Sequence, residues 1–575
     1  MVKSISTKFS VHWLEDIVDK ILDRGVSKIT LSTGKTPSGH IHIGILREIL
    51  ICDALRRLLE DKGKKVRSLL FMDSLDAAKR FPEYIESKFQ NKHLGKPFSY
   101  IPCPYEDCRC ESYAHHFGQE LTSTFTNFGI KNQIIWSHEL YSKKEMQDKI
   151  KLALRKTNEI KAILKKYILP TLDEQRKEEF LKSQENWMPA MVICEKCNRI
   201  QFKTKENSIL PNRVLKFIEE EDSVLYKCQA CEHESKISIY SGRLKLNWRV
   251  DWPAKWALFE TTCEPAGKDH AVKGGAYDTG LELCQKIYEY EGPIRIAYEW
   301  LRLGERDMKT SKGIVFTPKE YLKLADPTIY RMLILRTNPM KHISLRIEEL
   351  PQYYDQYERI EDIYYDNESN DSEEEIAFAK FIYPLIQTEK VSEKKPLRIP
   401  HNLLIFLSQI QNILPIERLY QKAREVIDDN RFQEIYSIKD LSHLLNRTLN
   451  WVEYVKKIIE QEVDVKVKKS ILNKISLFYI PDKIDISILK QLNTSQIKGL
   501  ELLRNYLINQ GKFSADEIQN KIFQIAKVEL KIKPKVVFEA IYLIILGKKY
   551  GPRLGPFLSI LDKDWLLDRL ELKDK

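Results

Sequence analysis

No stretch of this 575-residue chain is long and apolar enough to cross a bilayer. The most apolar run, residues 536–546, is short and carries Glu539, so it predicts a buried helix. Residues 1–19 include Glu15, Asp16 and Asp19 and lack the uninterrupted apolar core of a secretory signal. Export and membrane insertion are therefore not expected; a cytoplasmic location is. Neither charge sign dominates. The 93 Lys+Arg and 82 Asp+Glu leave +11, a mild excess compatible with a polyanionic partner but not diagnostic of one. There is no repeat of fixed period and no GxGxxG, so a dinucleotide fold is not indicated. Gly34 and Gly39 have Walker A spacing, but His40-Ile41 stands where that loop needs Lys-Ser/Thr.

What is present is an ordinary soluble composition, 43% hydrophobic and 30% charged, in a chain long enough for two to four domains. Leu14, Ile17, Val18, Ile21 and Leu22 share one helical face. Strand-like runs follow at Lys28–Ser32, Val66–Met72 and Asn132–Trp136, separated by helical segments, which predicts an α/β domain with a parallel sheet. Residues from about 95 to 245, with cysteine clusters and a charged helix at Lys143–Lys166, interrupt that rhythm as an insertion. Strand–helix character returns around Trp256–Phe259 and Gly280–Tyr290. The acidic stretch Glu361–Glu375 predicts a solvated linker, and helical spacing with Lys-rich faces continues from there to residue 575.

Four places carry chemistry. Thr33-Gly34-Lys35-Thr36-Pro37-Ser38-Gly39-His40-Ile41-His42-Ile43-Gly44 lies where a strand should pass into a helix, whose free N–H groups suit phosphates. Cys194-x-x-Cys197 and Cys228-x-x-Cys231 are two knuckles with the spacing of a four-thiolate zinc ribbon. Cys103, Cys108 and Cys110 with His116 (or His115) could form a second, Cys3His zinc site. Both look structural. The run Lys245–Trp256 (KLNWRVDWPAKW) sets three tryptophans among Arg249, Asp251 and Lys255, a frame for a cation or a flat ring. It is followed by Glu264–His270 (EPAGKDH) and by Gly274–Gly280 (GGAYDTG), a polar, Gly-rich stretch feeding a helix.

In order, His42-Ile43-Gly44, WRVDWPAKW, EPAGKDH, GGAYDTG, Pro293 with Tyr298-Glu299-Trp300, and Asp307–Gly313 resemble the signature elements of class I lysyl-tRNA synthetases. Gly547–Leu558 (GKKYGPRLGPFL) resembles that family's ending, so the likeness covers nearly the whole chain. The resemblance implies an α/β Rossmann-like class I synthetase catalytic domain with a zinc-containing insertion, followed by an all-α C-terminal anticodon-binding domain. The expected boundaries are 1–98 and 246–300 for the two catalytic halves, 99–245 for the insertion, 301–345 for the KMSKS-type loop and connecting region, and 346–575 for the anticodon-binding domain.

The implied activity is ATP-dependent activation of L-lysine to lysyl-adenylate and its transfer to tRNA(Lys), with Mg²⁺ and structural Zn²⁺, in a monomer without a membrane partner. His40 and His42 would contact ATP, with Pro37, Gly39 and Gly44 around it. Gly274, Gly275, Asp278 and Thr279 would hold the ribose side, and Lys309, Ser311 and Lys312 the pyrophosphate. Lysine would lie near Gly34 and Thr36, walled by Trp248 and His270 and closed by Tyr298, with Asp251 or Glu299 pairing its ε-ammonium. Two departures from the family pattern stand out: Ile45 ends the HIGH motif, and Asp307 opens the KMSSSKG loop. They keep open an impaired tRNA-binding paralogue and a class I ligase for another amino acid.

Overall fold

The computed structural model describes residues 11–204, 208–308, 315–366, 370–475, 477–481, 483–510 and 514–572. Lys309, Ser311 and Lys312 thus lie outside the described residues. The chain divides into two compact units, the first from residues 1–322, 326–346 and 356–393, the second from 323–325, 347–355 and 394–575.

The first unit is built on five parallel strands. Helix α1 (Trp13–Asp23) buries Leu14, Val18 and Ile21, and is started by a capping box in which the His12 ring accepts from the Leu14 amide and Glu15 reaches back. Strand β1 (Lys28–Lys35) follows, then α2 (Leu46–Asp61), β2 (Lys65–Met72), α3 (Tyr113–Thr122) and β3 (Gln133–Trp136). After the cysteine-bearing region come α4 (Trp248–Phe259), β4 (Cys263–Gly267), α5 (Ala276–Tyr288) and β5 (Ile294–Tyr298), and later α6 (Pro327–Leu335). The strand order is β5-β4-β1-β2-β3, every pair parallel. Strands β1 and β2 run in full register from Lys28↔Lys65 to Lys35↔Met72. Chain order reverses between β1 and β4, and there an open parallel sheet leaves a crevice at its carboxyl edge.

The sequence and the structure part in four places. Strand β3 lies inside the stretch expected to be insertion, yet it is an edge of the sheet. Trp256–Phe259 is the last turn of helix α4; the returning strand is Cys263–Gly267, whose Glu, Pro and Gly give no strand signal but which is buried between β1 and β5. The charged helix is two, Lys144–Arg155 and Thr157–Ile168, broken at Lys156. Residues 361–365 belong to a helix, Leu350–Tyr365, and Glu373 opens another, Glu373–Ile386. Glu361 is buried and accepts a 2.6 Å hydrogen bond from the Tyr383 hydroxyl, which no solvated linker residue would do. Residues 356–393 pack in the first unit.

The second unit is helical, with no strand among its described residues. Its long helices include Ile438–Gln461, Thr494–Ile508, Ala515–Gln524 and α7 (Pro534–Leu546). The apolar run of the sequence is indeed the buried helix α7, with Val537, Ala540, Ile541 and Ile544 fully inside. It ends at Gly547, whose φ of 68° is the left-handed turn that stops a helix cheaply only with glycine.

Candidate active site and metal centres

The crevice is a cavity of about 1010 Å³ bordered by the ends of β1 (Gly34, Lys35), β4 (Glu264–Gly267) and β5 (Tyr298), with Trp248 and His270 also on its wall. Thr36 Oγ1 donates to Asp76 Oδ2 at 2.6 Å. The HIG turn is packed from beneath: the Tyr330 hydroxyl donates to the Ile43 carbonyl (2.9 Å) and the Ile43 amide to the Phe316 carbonyl (2.8 Å). A Cβ on Gly44 would sit 2.9 Å from His42 Nδ1, so glycine there is what admits the His42 ring. The ring is half-buried, its Nδ1 atom buried and without a hydrogen-bond partner, and desolvation with the nearby Lys35 ammonium lowers its pKa to about 3. His42 is therefore a neutral imidazole with one unused nitrogen. His40 points elsewhere: its Nδ1 lies 2.7 Å from Glu120 Oε2 on α3 and its amide donates to the Tyr84 hydroxyl.

Both carboxylates expected to meet the lysine ammonium already have cations. Asp251 is buried, accepting from the Tyr141 hydroxyl (2.6 Å) and Lys255 Nζ (2.8 Å). Lys255 also holds Asp73 at 2.6 Å, and Lys245 pairs with Asp76 at 3.0 Å. Glu299 pairs with Lys268 at 2.8 Å, which lowers its pKa, and it does not line the cavity. Asp269 also lines the cavity but is exposed; of the buried carboxylates there, the one with a partnerless oxygen is Glu48, one helical turn beyond the HIG motif and near the Lys35 ammonium. It is 6% exposed, lines the cavity, and its Oε2 accepts from the Tyr298 hydroxyl while Oε1 has no partner. Burial pushes its pKa up to about 8, against the opposing pull of Tyr298. Sequence reasoning missed Glu48; the signal was a carboxylate inside the otherwise apolar face Leu46, Ile49, Leu50.

Glu264 orients the aromatic wall. Its carboxylate accepts from Trp252 Nε1 (2.6 Å), Trp256 Nε1 (2.9 Å) and Ser32 Oγ, so both oxygens are satisfied. Trp256 is core; Trp248, 46% exposed, stands at the mouth beside His270, ring centroids 5.8 Å apart. Gly274, Gly275, Asp278 and Thr279 do not line the cavity. Asp278 accepts from the Gly274 amide and from Arg295, each at 2.6 Å, and the buried Thr279 hydroxyl turns back to the Gly275 carbonyl. They shape the start of α5, where a Cβ on Gly275 would meet the Val272 carbonyl oxygen at 2.8 Å.

The Sγ atoms of Cys194, Cys197, Cys228 and Cys231 all lie within 4.8 Å of one another, with 3.7 Å between Cys194 and Cys231 and 3.6 Å between Cys197 and Cys228. A tetrahedral site with Zn–S of about 2.3 Å has an edge of about 3.8 Å, so these thiols fit zinc. The knuckles match: the Asn198 amide returns to the Cys194 carbonyl and the Glu232 amide to the Cys228 carbonyl, both at positive φ. In the second cluster the structure gathers Cys103, Cys108 and His116, three donors. The Cys110 thiol instead lies 3.6 Å from Gln119 Oε1, and His115 turns to Ser112.

Residues 11–385 match the family model for class I tRNA synthetases (K). The chain belongs to this family. Its curated relatives in that family include a lysine–tRNA ligase of Methanocaldococcus jannaschii, 34% identical over 98% of this chain and all of the relative. A lysine–tRNA ligase of Thermococcus kodakarensis is 32% identical over 98% of this chain and all of its own length. A lysine–tRNA ligase 1 of Methanosarcina acetivorans is 32% identical over 97% and 98%. Residues 419–572, in the helical second unit, match an anticodon-binding domain.

Proposed function

We propose that this protein is a lysine–tRNA ligase in which Glu48 takes the substrate's ε-ammonium. The observation that carries this is Glu48 itself, buried on the cavity wall with one oxygen lacking a partner and the other held by Tyr298. A buried ammonium needs a carboxylate, and with Asp251 and Glu299 paired with protein cations and Asp269 exposed, Glu48 is the buried acceptor in this reading. Gly34 and Thr36 at the end of β1 bound the amino-acid side, and Trp248 with His270 walls the mouth.

Lysine carboxylate attacks the α-phosphate of ATP, pyrophosphate leaves, and the lysyl-adenylate gives its acyl group to the terminal ribose hydroxyl of tRNA(Lys), releasing AMP. No protein nucleophile is needed; positioning and charge stabilisation do the chemistry. The neutral His42 ring donates one N–H to the phosphates, and His40, held by Glu120, stands beside the turn. Lys309 and Lys312 keep the pyrophosphate role that the family likeness implies for them, while Gly274 to Thr279 act by shaping α5. Mg²⁺ is the counter-ion of the triphosphate in this reading. Asp73 and Asp76 are tied to Lys255 and Lys245 and do not form a free ligand pair for it. Zn²⁺ would be held by the four thiols of Cys194, Cys197, Cys228 and Cys231, and a second by Cys103, Cys108 and His116; bound there it would cross-link the two knuckles and, at the second site, the 103–108 loop to its helix.

The test is ATP–pyrophosphate exchange with each amino acid in turn, with and without tRNA. Exchange with lysine, abolished by Glu48→Gln, supports the reading. Exchange with another amino acid, or none with any, overturns it, the latter outcome being that of a tRNA-binding paralogue.

A further inference from the structure

Helix α3 (Tyr113–Thr122) meets both the cysteine-rich loop before it and the turn that leads to His42, and it does so with one stripe of side chains. Tyr113, His116, Phe117 and Glu120 follow the spacing i, i+3, i+4, i+7, which puts them on one face of a helix. The Tyr113 hydroxyl donates to the Ser38 carbonyl at 3.1 Å. The Phe117 ring meets the His40 ring edge-on, with centroids 5.1 Å apart. Glu120 Oε2 lies 2.7 Å from His40 Nδ1. His116, in the middle of the stripe, is the helical donor of the second metal cluster, its Nδ1 3.3 Å from Cys108 Sγ.

The stripe is held unevenly. Tyr113 and Phe117 are fully buried in a small apolar core with Phe81, Phe98 and Ile101. The ion pair beyond them is not, since the side chains of His40 and Glu120 are 30% and 22% exposed. A partly solvated pair fixes a ring only when both of its ends are already fixed, because ordering two loose side chains offsets their attraction. At the His40 end the backbone amide donates to the Tyr84 hydroxyl at 2.8 Å, and the two rings lie 4.8 Å apart. The Glu120 end depends on the helix that carries it. The loop 102–111 cannot press on that helix by burial, since none of its residues is buried. A metal ion on Cys103, Cys108 and His116 would supply the missing tie, one helical turn from Glu120.

We propose that Glu120 is a positioning residue for the reaction, turning the His40 ring toward ATP, and that metal held by Cys103, Cys108 and His116 fixes Glu120 in turn. With the carboxylate accepting from Nδ1–H, the ring's Nε2 is the nitrogen left for the nucleotide. The second cluster then acts on nucleotide binding through α3, besides holding its own loop. This rests on the reading of His40 as an ATP contact.

The experiment measures the ATP affinity of the full chain by titration calorimetry, without amino acid or tRNA, alongside metal content and melting temperature. Glu120→Ala should keep its metal and its melting temperature yet bind ATP about tenfold more weakly, the order of one hydrogen bond to a charged group. Glu120→Gln, whose amide oxygen still accepts from Nδ1–H, should restore most of the loss. His116→Ala should lose the metal and a comparable share of ATP affinity, and adding Glu120→Ala to it should cost little more. In the parent protein the coupling reads in reverse: saturating ATP should tighten the second metal site by the factor by which the metal tightens ATP. Parent-like ATP binding by Glu120→Ala, losses from the two variants that multiply, or a metal affinity indifferent to ATP overturn the proposal. If His116→Ala unfolds, its melting temperature shows it, and the parent's metal affinity with and without ATP decides. Exchange with an amino acid other than lysine, beside the expected ATP results, would fell the ligase reading alone; no ATP binding by the parent would fell the His40 reading and this proposal with it.

Discussion

If Glu48 receives the lysine ammonium, lysine affinity must depend on pH in a way that neither reactant shows free in solution. In the empty pocket burial holds the Glu48 carboxyl at a pKa of about 8, so at neutral pH it is mostly protonated. Only the ionised form pairs with an ammonium, so binding expels the proton. The sign is then fixed: affinity rises with pH and levels off above 8. The ionised fraction at a pKa of 8 makes the apparent dissociation constant about 11-fold weaker at pH 7 and about 100-fold weaker at pH 6 than its plateau. Titration calorimetry of lysine in buffers of different ionisation enthalpy reads both the slope and the proton, with about 0.9 proton released at pH 7. Lys35→Met removes the cation that favours the ionised form and should move the curve to higher pH. Glu48→Gln should bind weakly and without slope. A constant affinity from pH 6 to 8, or proton uptake, would refute the assignment.

Three further outcomes are expected. Elemental analysis should find zinc that is lost with Cys194→Ser and with Cys228→Ser, each lowering the melting temperature; at the second cluster His116→Ala should release metal and Cys110→Ala should not. Gly44→Ala should cut exchange strongly with little change in melting temperature, because the new methyl displaces the His42 ring; unchanged turnover would show that the ring's place is immaterial. Arg331 is fully buried on Asp53 (2.8 Å), so Arg331→Met should cost about 3 kcal/mol of unfolding free energy in urea, the low end for a broken buried pair. Asp53 keeps Arg56 and Arg57 as partners, which sets the low end.

How much of this was legible beforehand varies by residue. The β1–turn–α2 passage was, since alternation, glycines and the HIG letters all point one way. Strand β4 was not: Glu264 and Pro265 are poor strand formers kept there by burial between two neighbours. Asp251 and Lys255 are four apart on one helix, so their pairing was visible as a possibility from spacing. The partner of Glu299, Lys268, lies 31 residues away on another element, and only the fold discloses it. Glu48 hid because a lone carboxylate in an amphipathic stretch gives no spacing motif; its meaning lies in what surrounds it. The linker expectation failed for a related reason, since acidity along 361–375 does not reveal that Tyr383 meets Glu361.

The wall of Asp73, Asp76, Lys245, Asp251 and Lys255 has a bearing on how amino-acid preference could drift. Lys255 and Asp251 have side chains 4% and 7% exposed; losing Lys255 leaves the Asp251 charge with only the Tyr141 hydroxyl, and losing Asp251 leaves Lys255 with Asp73 alone, in a medium that disfavours lone charge. A single substitution toward a differently charged or shaped substrate therefore passes through a destabilised protein before any new preference is gained. Exchange of both partners together does not. A lineage can change this wall by paired replacements more readily than by single ones, so the charges that line the crevice also restrain the mutational routes away from it.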